Sequence, residues 1–263
     1  MNPLNEQQLA SKEQFDRQSQ NYGRSHILAD VSDVELAMSD LALSGCGRAL
    51  DVATGGGHTA VYLAALGWDV TASDLAPAML RSVSELAGER GVSVTTALHE
   101  AESLPYAESS FQLVTCRVAA HHFSDPEAFV REAARVLEPG GHLVLIDGSV
   151  PDGEPEAEEW IHRVEKLRDP SHGRFLSPSR WVEILKAAGL EVLKCQLCPL
   201  KQPDLEWYFD AAGTSTVNRD VVRALVRTAT DPVRRAFRIA EEDGKIVWWW
   251  PRISLVARRA SVK

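Results

Sequence analysis

Short apolar runs alternate with helix-period segments along most of the chain, and glycine or proline marks nearly every change between them. Runs at 49–52, 69–74, 92–100, 111–116, 142–147, 191–198 and 245–257 read as seven strands. Between them, 34–43, 58–66, 78–89, 127–137, 154–167, 178–188, 205–213 and 221–226 carry helical spacing. Pro77 and Pro126 suit first helical turns, with Asp125 as an N-cap, and Gly67, Gly91 and Gly189 suit helix ends. This alternation predicts an α/β fold: a seven-stranded, mostly parallel sheet with helices on both faces, whose last two strands form an antiparallel edge.

At 263 residues and 44% hydrophobic, the chain can bury one large core. It reads as a single domain over 1–263 with a cap element at 1–32, a lid-like insertion at 151–178 and a helical insertion at 199–243. The formal charge of -9 argues against nonspecific nucleic-acid binding. Arg223, Arg227, Arg234, Arg235 and Arg238 make the best local basic patch, but acidic residues interleave with them, so a solvated helical surface is expected. No apolar run reaches membrane-spanning length and the polar opening lacks a secretory core, so a cytoplasmic protein is the default. Cys195 and Cys198 have half the spacing of a zinc site, but no second pair follows. With no third ligand beside His121 and His122 either, no metal is expected. Monomer and homodimer both stay open.

Candidate chemistry concentrates where the first strand ends. Asp51-Val52-Ala53-Thr54-Gly55-Gly56-Gly57-His58 places a glycine turn between a strand and a helix. Such a turn allows close backbone approach, and the helix start offers unpaired N–H groups to an anion. Acids then close the next two strands: Asp74 is placed to accept from two ribose hydroxyls, and Glu100 from an adenine amino group, with Leu75 and Ala101 flanking the base. The spacing fails the dinucleotide pattern Gly-x-Gly-x-x-Gly, and no Gly-Lys-Ser or Gly-Lys-Thr follows. These residues together describe a nucleoside pocket.

The segment from Asp51 to Gly57 resembles motif I of the class I S-adenosylmethionine-dependent methyltransferases. Glu100-Ala101-Glu102-Ser103-Leu104-Pro105-Tyr106 resembles their acid-Ala-Glu-x-Leu-Pro-aromatic segment, and Arg135-Val136-Leu137-Glu138-Pro139-Gly140-Gly141 their turn before strand five. The subgroup most similar contains small-molecule enzymes like those of ubiquinone and menaquinone biosynthesis. The resemblance implies a Rossmann-like methyltransferase sheet with a helical cap, and S-adenosyl-L-methionine as cofactor. It implies that the backbone around Ala53 and Gly55, in the turn shared with Asp51, Thr54 and Gly57, lines the methionine moiety, that Asp74 holds the ribose, and that Glu100 and Ala101 meet the adenine. Ala53 stands at the family's first glycine, which a methyl tolerates if its torsions are ordinary, and Glu100 replaces the more frequent Asp.

The implied reaction is direct displacement of the methyl group onto a small organic acceptor. A phenolic or quinone-precursor carbon is one candidate; oxygen, nitrogen and sulfur acceptors fit nearly as well, and a noncatalytic S-adenosylmethionine-binding regulator is the alternative from another class. By the same resemblance Arg117 lies beside the sulfonium and acceptor, and His121 is the preferred base or orienting group, with His122 beside it and within reach of Asp125. Tyr22 belongs to the cap over the cofactor. Trp160, His172, Arg174 and Phe175 of the lid-like insertion are expected at the acceptor. The run Trp248-Trp249-Trp250 is expected to send its middle ring to one strand face and its neighbours to the other, mainly for packing.

Overall fold

The computed structural model describes residues 3–23, 26–39, 41 and 47–261; the side chains of 19–23, 26 and 27 lie outside that description. Three helices open the chain: α1 (Glu6–Gly23), α2 (His26–Ala29) and α3 (Ser32–Met38). Strand and helix then alternate through β1 (Arg48–Val52), α4 (His58–Ala65), β2 (Asp69–Asp74), α5 (Pro77–Arg90), β3 (Thr95–Leu98), β4 (Phe111–Arg117), α6 (Pro126–Val136) and β5 (Leu137–Gly148). Pro77 and Pro126 occupy first turns, where a missing N–H costs nothing, and the Asp125 carboxylate accepts from Ala128 N at 2.9 Å.

After β5 come α7 (Pro155–Arg168), α8 (Pro178–Ala187), β6 (Leu190–Leu197) and β7 (Leu200–Lys201), then α9 (Leu205–Ala212), α10 (Thr216–Arg227) and α11 (Asp231–Phe237). The chain ends through β8 (Ala240–Glu242), β9 (Lys245–Val247), β10 (Trp249–Trp250) and β11 (Arg252–Arg259). The main sheet has seven strands in the order β3-β2-β1-β4-β5-β11-β6. Its β3-to-β5 part is parallel, and β11 runs antiparallel to both β5 and β6.

Each sheet face has its own core. Phe129, Val130 and Ala133 of α6 and Trp181, Ile184 and Leu185 of α8 pack on one face; Val34, Ala60, Leu63 and Val83 from α3, α4 and α5 pack on the other. The insertions add two smaller cores, one around Phe209, Tyr208 and Trp248 and one around Phe175 and Phe237. The strand expected at 245–257 is instead three pieces. β9 makes a hairpin with β8, β10 pairs with β7, and only β11 joins the main sheet. Pro251 stands at the last break, and a residue without an N–H fits a strand boundary better than a strand interior. The third strand is also shorter than expected, so His99 and Glu100 lie in the loop beyond it.

The first-glycine substitution is not conformationally ordinary. Ala53 has φ of 52° and Gly55 of 54°, both left-handed. A β-carbon there costs about 1–2 kcal/mol, while glycine adds roughly 0.4–1 kcal/mol of unfolded-chain entropy. Ala53→Gly is therefore expected to raise stability by about 0.5–1 kcal/mol, read from the denaturation midpoint; a destabilised variant would refute the strain argument.

Candidate active site

The carboxyl ends of β1, β2 and β4 open into a cavity, the place where open α/β sheets take their ligands. Its walls combine the turn (Val52, Ala53, Thr54, Gly55, Gly56), the acid pair of loops (Asp74, Leu75, Ala101, Glu102), the β4 exit (Arg117, Val118, Ala119, His122) and α1 (Gln8, Ser11, Phe15).

Asp51 shapes this turn from beneath and does not line the cavity. It is almost fully buried; its two carboxylate oxygens accept from Thr54 Oγ1 and Thr115 Oγ1, each at 2.6 Å. Burial pushes its pKa up to about 6 against those hydrogen bonds. Gly57 also faces away: its φ is 86°, and a β-carbon would meet the Val83 backbone at 3.1 Å, so it serves close packing of α4 on α5.

Asp74 does line the cavity. Its Oδ2 accepts from Gly55 N at 3.0 Å and its Oδ1 from Ala76 N at 2.9 Å, which fixes the plane while a carboxylate keeps further lone pairs. A ribose diol matches that arrangement. Burial raises its pKa to about 6 despite the backbone donors. Since the ionised form accepts both hydroxyls, nucleoside affinity is expected to fall as pH drops through about 6, well above the ordinary Asp range near 4. Asp74→Ala should weaken S-adenosylhomocysteine binding by about 1.5–3 kcal/mol in calorimetry, and unchanged affinity would remove Asp74 from the site.

Glu100 is held by the opening helix. Its Oε2 accepts from Gln8 Nε2 at 2.7 Å, and Gln8 also reaches Glu102 Oε2 at 3.3 Å. Glu102, with His99, lines the cavity and Glu100 does not. His99 Nδ1 donates to Glu100 O, leaving Nε2 to accept from Tyr106 OH at 2.8 Å. Gln8, Ser11, Phe15, His99 and Glu102 were not singled out from sequence, because α1 is polar on most sides and His99 occupies a strand-like run. The Tyr22 side chain lies outside the described residues.

Beyond β4 the backbone is strained: Val118, a β-branched residue, has φ of 54°. Arg117 lines the cavity, but its guanidinium is engaged with Asp33 at 3.0 Å and with Leu28 O at 2.7 Å and Asp30 O, so it braces the cap. The His121 and His122 rings then lie side by side, with centroids 4.1 Å apart and planes tilted by 42°. It is His122, not His121, that reaches the cavity wall, with Phe15 edge-on at 4.8 Å. His122 Nδ1 lies 2.9 Å from Ser171 O, which only accepts, so Nδ1 carries the proton and Nε2 the lone pair. The expected Asp125 partnership does not form, since that carboxylate caps α6. Burial, then the neighbouring His121, lowers the His122 pKa to about 4. His121 turns the other way: Nδ1 donates to Asp147 Oδ1 at 2.6 Å. Burial works most strongly against its charge, but Asp147, with Glu165 and Asp169 behind it, outweighs burial in sum and raises its pKa.

The four insertion residues expected at the acceptor are placed differently. Phe175 is fully buried against Gly148, and Trp160 stacks on Phe237 at 5.3 Å. Arg174 is exposed and ion-paired with Glu158. His172 is buried, its Nε2 3.1 Å from His162 Nδ1, and comes within 5.6 Å of the His121 ring. Packing has drawn Trp160 and Phe175 into the insertion core, where the Phe175 ring, like His172, still lies against His121, at 5.0 and 5.6 Å.

A family model described as a methyltransferase domain matches residues 50–145. An uncharacterized methyltransferase of Bacillus subtilis, YcgJ, is 32% identical over 88% of this chain and 91% of its own length. A ubiquinone biosynthesis O-methyltransferase of Xanthomonas oryzae is 43% identical over 64% of this chain and 71% of its length. The crystal structure of YcgJ superposes with a TM-score of 0.79, covering 88% of this chain and 99% of that one. With this sheet order, the Asp74 cradle and these matches, the chain belongs to the class I S-adenosylmethionine-dependent methyltransferases.

Proposed function

We propose that the chain methylates a hydroxyl oxygen of a small organic molecule, and that His122 faces the reacting atom. The observation that carries this reading is the fixed tautomer of His122 on a largely apolar cavity wall: a neutral imidazole whose Nδ1 proton is spent on Ser171 O and whose Nε2 keeps its lone pair. The bound cofactor supplies a methyl group made electrophilic by a sulfonium. The acceptor oxygen forms the new O–C bond as the C–S bond breaks, sulfur keeps that electron pair, and His122 Nε2 takes the hydroxyl proton. Burial and His121 disfavour the resulting imidazolium, which favours passing the proton on to solvent. Relatives named as O-methyltransferases support oxygen over the phenolic ring carbon suggested by the sequence.

Positioning supplies most of what such a displacement needs. Phe15 and α1 roof the cavity and exclude water, while the Arg117 braces hold the segment before β1 against the sheet. A screen of phenols, carboxylic acids, amines and thiols, read by product mass and S-adenosylhomocysteine release, tests the reading. Oxygen-methylated product supports it; methylation confined to nitrogen, sulfur or carbon replaces the acceptor class. Cofactor binding without any turnover favours the regulatory alternative.

A further inference from the structure

The turn that follows α7 is shaped by one carboxylate. Asp169, almost fully buried at the helix end, accepts at Oδ1 from Ser171 N at 2.8 Å and from Ser171 Oγ at 2.6 Å. Its own N–H donates to Glu165 O at 2.7 Å and its carbonyl accepts from His172 N at 3.0 Å. Ser171, which has no exposed surface, therefore has its backbone N–H and its hydroxyl proton both committed to Asp169.

The same turn is fastened to the histidine pair. His122 Nδ1 lies 2.9 Å from Ser171 O and 3.2 Å from Ser171 Oγ. Because the hydroxyl spends its proton on Asp169, Oγ can only accept from Nδ1. Donation thus runs one way, from His122 to Ser171 and from Ser171 to Asp169. Gly173 N and Arg174 N both donate to His121 O at 2.9 Å, and a β-carbon on Gly173 would stand 2.7 Å from that oxygen. From α1, Gln7 Nε2 donates to Ser171 O and, at 3.2 Å, to His122 O. Two further charges bear on the set: Arg168 faces Asp169, and Asp147 faces the histidines from β5. Burial opposes the Asp169 charge, but His122, the Ser171 bonds and Arg168 outweigh it and keep this carboxyl below its ordinary value.

We propose that Asp169 is a positioning residue for methyl transfer: acting through Ser171, it commits His122 to the Nδ1-protonated tautomer and so keeps Nε2 bare. A neutral imidazole carries its proton on the nitrogen whose partner accepts, and Asp169 is what leaves Ser171 only acceptors to offer. Neither Asp169 nor Ser171 lines the cavity, so both act through His122 and not on cofactor or acceptor. When Nε2 takes a proton, Nδ1 keeps its own, and the carboxylate lies one hydroxyl away from the positive ring. The assignment rests on His122 as the group that receives the acceptor proton.

The test is side-chain nitrogen NMR of the full chain, carrying isotope-labelled histidine and saturated with S-adenosylhomocysteine, with His122 assigned by its loss in His122→Gln. Wild type should show one form, protonated at Nδ1 and bare at Nε2. Asp169→Ala should raise the Nε2-protonated form severalfold. Asp169→Asn, which keeps an oxygen for Ser171 N and Oγ, should return most of the wild-type signature. Ser171→Ala removes only the hydroxyl link; it should shift the signature the same way by less, and it carries the test if Asp169→Ala does not fold. S-adenosylhomocysteine affinity within twofold of wild type certifies the fold of each variant. A signature unchanged in the alanine variants that fold overturns the role of Asp169, as does an Asp169→Asn spectrum as mixed as that of Asp169→Ala. Either result leaves His122 standing as the base, whereas a wild-type His122 protonated at Nε2 overturns that reading itself.

Discussion

Replacing His122 by alanine is expected to lower methyl transfer by about 10²–10⁴-fold, the range for loss of a positioned general base, while S-adenosylhomocysteine affinity changes only a few-fold. The separation follows from the site: Asp74 and the glycine turn line one part of the cavity, and His122 stands at the β4 exit. His121 supplies the contrast. It does not line the cavity, so it acts through its neighbour, and His121→Ala should lower turnover less. The His121 charge depresses the His122 pKa after burial does, so its removal should lift the acid limb of the kcat/KM profile from about 4 toward the ordinary histidine value. Full turnover in His122→Ala, or an unmoved acid limb in His121→Ala, would remove the respective role.

Phe175→Ala should be the most damaging change for stability, costing about 3–5 kcal/mol as a fully buried aromatic lost from a packed core. For a chain of this size that lowers the melting temperature by roughly 6–20 °C. Phe175 fills the room Gly148 leaves: a β-carbon on Gly148 would stand 2.1 Å from the Phe175 ring. The ring also touches His121 at 5.0 Å and His172 at 4.7 Å. Gly148→Ala should therefore be destabilising from the opposite direction, by about 1–3 kcal/mol. A melting temperature unchanged by Phe175→Ala would show that the insertion is not packed against β5 as described.

The parallel sheet was readable because its signals are local: glycine after β1, proline in first turns and acids at strand ends. Asp74 was found by that rule. Asp147 ends β5 by the same rule, yet its role depends on His121 arriving from another loop, a contact that no spacing encodes. The placement of His122 rather than His121 at the cavity wall has a similar cause. Adjacent residues in a short helical turn face different directions, and only Ser171 and Asp147 decide which ring takes which. Ala53 was legible as a departure but not as a strained one, since φ is set by the turn around it. Residues from α1 were hidden because a mostly polar helix shows no buried stripe until its partner surface is known.

That helix has a kinetic meaning. Gln8 bonds to Glu100 and Glu102, Gln7 to His122 O, and Asp16 Oδ1 accepts from Ala78 N, so α1 is tied to three separate rims of the nucleoside cavity. Release of the spent nucleoside past α1 is expected to need several of these ties to break together. Product residence time then follows the frequency with which a helix lifts, a motion that solvent viscosity slows and that the displacement step does not share.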